Sequence, residues 1–171
     1  LNIKQEAQAL VVKDQETARL LASSVTETIE IGMLTVRPDI VRRLMQQLKT
    51  ELKDVRRIGV YRRNGVEAFA DLATLEEVNH RAHLDPELVK SISAMSRAPG
   101  PPNQNPFFRR AVETILPEQT YETIDGARVL TLFQPLRNLK ECQGCHGTDH
   151  EVRGVLQISL GLEKLDAQLR A

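Results

Sequence analysis

The chain holds two cysteines, and both stand beside one of its four histidines in the stretch Cys142-Gln143-Gly144-Cys145-His146. No other feature so limits what the chain can fold into. In C-x-x-C-H each thiol adds to one vinyl group of haem as a thioether, and the adjacent imidazole becomes the proximal ligand of the iron. Such a chain must build a pocket next to the attachment loop, with apolar walls for the ring and cationic or hydrogen-bonding groups for the propionates. Two other readings of the cysteine pair are weighed against this one. A redox C-x-x-C follows a strand and opens a helix inside a βαβ unit, whereas this pair lies in a polar stretch between Lys140-Glu141 and Gly147-Thr148-Asp149. A four-ligand zinc site needs two further cysteines or histidines at close spacing, and His150 alone is near.

At 171 residues and 41% hydrophobic content the chain can form one domain with its own core. Lys plus Arg and Asp plus Glu both number 23, so there is no basic field to recruit nucleic acid. No apolar run approaches the roughly 20 residues that cross a bilayer, and the opening Leu1-Asn2-Ile3-Lys4-Gln5-Glu6 is not a signal peptide. The chain lacks an initiator Met and opens within a helical pattern, so we expect a processed product or a piece of a longer protein. As a class, c-type cytochromes receive their haem outside the bacterial inner membrane, and the expected compartment is therefore the periplasm.

Hydrophobic spacing orders the elements. Ala7, Val11, Ala18, Leu21, Val25 and Ile29 repeat at three, four and seven residues, which predicts a long amphipathic helix over about 1–31. Pro38-Asp39 opens a second helix with Ile40, Leu44, Leu48, Leu52 and Val55 on one face. Asn64-Gly65 between Ile58–Tyr61 and Val66–Phe69 reads as a hairpin. Short helices follow: one capped by Thr74 with Glu77, one opened by Asp85-Pro86, and one carrying Phe107, Phe108, Ala111, Val112 and Ile115. The breaker-rich stretch 98–106 between them is expected to lie on the surface as a mobile lid. Strands over 120–123, 129–133 and 152–160 flank an Asp125-Gly126 turn and the attachment loop, and Leu162, Leu165 and Leu169 form a last helix. There is no internal repeat.

The expected fold is α+β: a mostly antiparallel five-stranded sheet with a long N-terminal helix and a helical insert. A single domain covers 1–171, with N-terminal helices over 1–56, the sheet over 57–161, an insert at 72–116, a haem loop at 140–151 and a C-terminal helix over 162–171. The Gly59-Val60-Tyr61-x-x-x-Gly65 hairpin, the C-x-x-C-H before the last strand and the closing run Gly154–Leu160 into a helix resemble the PAS-like or Cache-like sensor domains of bacterial transmembrane receptors. The resemblance implies a domain outside the membrane, joined to it by flanking segments and controlling a histidine kinase or chemotaxis output.

Cys142 and Cys145 are the expected anchors and His146 the proximal ligand. For the sixth position Met95 is the first candidate, beside His80, His83, Met33 and Met45; His150, only four residues beyond His146, is expected to be kept off the opposite face by strain, and water or an empty position is the alternative. An open position admits NO, CO or O₂, and a bound Met or His favours redox chemistry. Arg137 is the expected propionate partner among Arg97, Arg109, Arg110 and Lys140. Phe133, with Phe107, Phe108 and Leu136, is expected to wall the pocket. No catalytic constellation is found, so an enzyme is not expected. The motif thus points to one covalent haem c, and the resemblance implies an extracytoplasmic, homodimeric sensor of redox state or a diatomic gas; a monohaem electron carrier is the second reading.

Overall fold

The computed structural model describes residues 2–69 and 71–170. Leu1 and Ala171, the outer ends of the expected terminal helices, lie outside them. Helix α1 (Ile3–Leu34) is capped by Asn2, whose side chain accepts from the Lys4 amide. It buries Ala18, Ala22, Val25 and Ile29, at spacings of four, three and four residues, against the sheet. Near its end Gly32 permits a close crossing: a Cβ there would lie 2.6 Å from Val41 Cγ2. Helix α2 (Pro38–Glu51) uses that space.

This crossing sets the rotation of α2, so its inward face differs from the expected one. Val41 is fully buried, with Met45 and Leu48 packed behind it, whereas Ile40 and Leu52 are 42% and 40% exposed. Val55 does not extend the helix but starts strand β1 (Val55–Arg62).

Strands β2 (Glu118–Ile124), β3 (Ala127–Arg137) and β4 (Val152–Gly161) complete an antiparallel sheet in the order β1-β4-β3-β2. Asp125 and Gly126, both at positive φ, make the tight β2–β3 turn. The sheet has four strands among the described residues, not five. Val66–Phe69 makes a single bridge, Tyr61 to Glu67, because the chain turns back too early to form a ladder. The Ala68 amide donates to Val60 O, and Phe69 takes a positive φ that leads the chain away.

Side chains alternate across the sheet. Leu130, Leu132 and Leu136 of β3 and Leu156, Ile158 and Leu160 of β4 join the core shared with α1 and α2. Phe133 and Val155 enter a second cluster with Phe108 and Ala111. The insert forms α3 (Leu72–Ala82), α4 (Pro86–Ala94) and α5 (Pro106–Thr114). Asp71, not Thr74, caps α3 and accepts from both the amide and the hydroxyl of Thr74. The breaker-rich loop is tied down rather than free: the Asn103 amide donates to Gly65 O and its side chain to Gln157 Oε1, each at 2.8 Å. Helix α7 (Glu163–Arg170) follows β4 directly and buries Leu165.

Where β4 begins, Gly154 faces the Tyr61 carbonyl of β1, and an added Cβ would lie 2.3 Å from that oxygen. The obstacle is backbone, so it cannot swing aside. Gly154→Ala is expected to lose about 1–3 kcal/mol, as overpacked sites do, and to lower Tm by several degrees in a thermal circular-dichroism melt. An unchanged melt would mean that β1 and β4 are not held this closely.

Candidate functional site

The sheet delivers the attachment loop through one local interruption. The β3–β4 ladder shifts register between Leu136 and Arg137, and the chain then passes through a 3₁₀ turn (Lys140–Cys142) and the short helix α6 (Gln143–His146) before β4. Asn138, buried at the base of the loop, holds it from inside. Its side-chain amide donates to Gly147 O at 2.8 Å and His150 O at 3.0 Å, and its backbone N–H donates to Glu151 O at 2.8 Å. Cys142 and Cys145 are both unbridged. Cys142 is buried under the loop, and Cys145 is half-buried and faces a cavity.

That cavity has a volume of about 450 Å³, within the roughly 300–1,000 Å³ typical of ligand and cofactor sites. Ile29 and Met33 of α1, Val60 of β1, Leu75 of α3 and Ile92 and Met95 at the end of α4 give it an apolar side. Cys145, His146, His150 and Arg153 reach it from the loop and the start of β4. Arg42 of α2 donates to Met95 O at 2.6 Å and so fixes the chain on which Met95 sits. Arg62 and Arg81 share the Glu77 carboxylate, at 3.1 Å and 3.2 Å.

Burial, and after it the positive charge of Arg153, lowers the His146 pKa to about 4. The imidazole is therefore neutral at physiological pH, the form in which its ring nitrogen can bind a metal. The His150 ring makes a 2.6 Å hydrogen bond to Asp149, which holds that carboxylate below its ordinary range. Arg153 is deeply buried. Its Nε donates to Arg137 O at 2.9 Å, and its Nη2 has no hydrogen-bond partner among the described residues.

Cys145 and His146 of the C-x-x-C-H motif meet the cavity as a covalently held haem requires, whereas Cys142 is buried beside it and does not line it. A half-buried thiol and a neutral imidazole face a partly apolar cavity that also contains an idle buried guanidinium nitrogen. Of the candidates for the sixth position, Met95 and Met33 line the cavity, as does His150. Met45 packs into the core, and His80 and His83 are exposed, His83 as the left-handed cap of α3. Among the described residues no three His, Cys, Asp or Glu side chains gather as a side-chain metal cluster would require.

The expected propionate partner Arg137 is exposed and does not line the cavity; only its carbonyl contributes, by holding Arg153. Arg97, Arg109, Arg110 and Lys140 are also exposed and outside the lining. Phe133 packs edge-on against Phe108 at 6.5 Å between ring centroids, in the cluster on the other face of the sheet. Strand alternation is the cause, since Leu136 lies three residues on and faces the cavity side.

Sequence reasoning overlooked Asn138, Arg153, Arg42 and Leu75. Arg153 left a trace, as the one charge inside the otherwise apolar start of β4, Val152-Arg153-Gly154-Val155-Leu156. Asn138→Ala removes both side-chain bonds to the loop and leaves two carbonyls to find other donors. We expect a loss of about 1–3 kcal/mol, measured by denaturant unfolding, together with lower haem content per chain. Haem content equal to that of the wild type would show that the loop holds its shape without this residue.

Comparison with protein-family models gives no match, and comparison with curated proteins gives none. Among solved structures the chain is similar to the crystal structure of a domain assigned to the sensory box/GGDEF family, from Vibrio parahaemolyticus. The two share 10% identity and a TM-score of 0.42, with 98% of this chain and 65% of that chain covered. At this identity and score the likeness assigns neither family nor function.

Proposed function

We propose that the chain is the signal-input domain of a bacterial membrane receptor, a PAS-like or Cache-like sensor with one covalently attached haem c on its periplasmic side. The observation that carries this reading is the cavity, which brings Cys145 and His146 together with Met33 and Met95 from two separate helices. When bound, haem would supply an iron that changes redox state or takes a diatomic gas.

The chain's own residues set the terms of that chemistry. Cys142 and Cys145 would hold the haem covalently, and His146 would present a neutral nitrogen to its iron. Met95, whose backbone is fixed through Arg42, would supply the second protein ligand, with Met33 next. Each methionine gives the signal a direct mechanical route. Met33 lies in the last turn of α1, and Met95 lies at the end of α4 in the insert. The attachment loop runs through β4 into α7, which packs on α1, so both terminal helices touch elements that would hold the haem.

Exposed Val12, Leu20, Ile31 and Leu34 on α1 support pairing of two chains along that helix. Two methionines at the cavity also favour a second reading, a carrier whose iron keeps two protein ligands in both redox states.

Optical titration of the haem-loaded protein with CO and NO separates the two. A sensor is expected to bind CO or NO in the ferrous state, and Met95→Ala to abolish the thioether-to-iron absorption of the ferric form. An iron that stays six-coordinate and refuses both gases in either state would overturn gas sensing, and a Met95→Ala spectrum equal to the wild type would remove Met95 from the iron.

A further inference from the structure

The cavity contains a buried guanidinium with one nitrogen that makes no hydrogen bond among the described residues. Arg153, the second residue of β4, has a side chain only 6% exposed. A guanidinium offers five N–H donors, and burying its charge is costly unless it is paired and hydrogen-bonded. Nε is satisfied by Arg137 O at 2.9 Å. Nη2 makes no hydrogen bond among the described residues; the nearest carboxylate, Glu30 Oε1, stands 3.9 Å away and is itself about one-third exposed.

The other lining arginines differ in this respect. Arg42 donates to Met95 O, Arg62 and Arg81 share Glu77, and Arg63 is exposed to water. Arg153 is the deeply buried cation of the lining with donor capacity left over. It lines the same cavity as His146. The carbonyl that orients it belongs to the last residue of β3, so its position is fixed by the same two strands that carry the attachment loop.

We infer that Arg153 is the carboxylate-binding residue of this cavity, and that the carboxylate it takes is a propionate of the covalent haem. The inference rests on the haem reading above and assigns the group that pairs with the ring's negative edge. Planar, charge-assisted Arg–carboxylate bonds are among the strongest of their kind, and burial here strengthens them. A cation at this place also disfavours ferric iron, so Arg153 should tune the reduction potential as well as hold the ring.

The test is redox titration of haem-loaded wild type, Arg153→Gln, Arg153→Lys and Glu30→Gln, with haem per chain measured in parallel. Losing the cation in Arg153→Gln is expected to raise the ferric-to-ferrous ratio at a fixed potential roughly tenfold, which is about 59 mV for one electron. Arg153→Lys, which keeps the charge, should restore most of that shift. Glu30→Gln should retain its haem and change the ratio less than threefold. It also serves if Arg153→Gln fails to fold, because a Glu30→Gln shift as large as tenfold would identify Glu30 as the true partner of Arg153.

Added acetate should leave the wild-type potential unchanged. A saturable shift would mean that the site takes a free carboxylate and would overturn the propionate assignment. A haem-loaded Arg153→Gln with wild-type potential would overturn the inference alone. A wild-type chain that acquires no haem would overturn the haem reading and this inference with it.

Discussion

Strand β4 is the constraint on which the rest depends. It is hydrogen-bonded along both edges, to β1 and β3, and eight of its ten residues are buried. A strand held on both sides and both faces cannot slip register without moving its whole hydrophobic set. Whatever enters β4 is therefore placed with little freedom, and what enters it is the attachment loop. Arg153 and Gly154, its second and third residues, line the cavity because the strand starts there. The register shift at Leu136/Arg137 ends the ladder in time for Asn138 to turn inward and hold the loop from its base.

The cavity is built at the meeting point of elements that are far apart in sequence. Gly32 lets α2 cross close to α1, and the same crossing places Arg42 where it reaches the carbonyl of Met95. The end of the insert is thereby tied to the N-terminal helices. Electrostatically the site is arranged so that His146 stays neutral beside a buried guanidinium. Low dielectric and the neighbouring cation both favour the unprotonated imidazole, whereas an arginine remains charged in proteins at any accessible pH. A neutral nitrogen and a buried cation side by side suit a ligand that joins a metal to carboxylates.

Much of this was legible in the sequence wherever a local signal decided the outcome. The stripe Ala18–Val25–Ile29 gave α1, Asp85-Pro86 the start of α4, Asp125-Gly126 the β2–β3 turn, and C-x-x-C-H the loop that opens onto the cavity. What was not legible depends on tertiary contact. The Asn64-Gly65 signal marks a real turn, but whether a strand follows is settled by where Phe69 sends the chain. The buried face of α2 turned on one glycine in another helix. Proximity in sequence suggested Arg137, yet alternation along the strands and the register shift placed Arg153 in the cavity instead. Phe133 followed the same rule to the opposite face.

The central claim is that Cys142, Cys145 and His146 hold a covalent haem, and the intact mass of the chain tests it most directly. The chain should be produced in a periplasm equipped for haem c attachment and measured beside Cys142→Ser and Cys145→Ser variants. The account predicts a wild-type mass increased by one haem that survives acid and organic denaturation, with no stable double attachment in either variant. A wild-type chain of unmodified mass, with both thiols free or joined to each other, would contradict it.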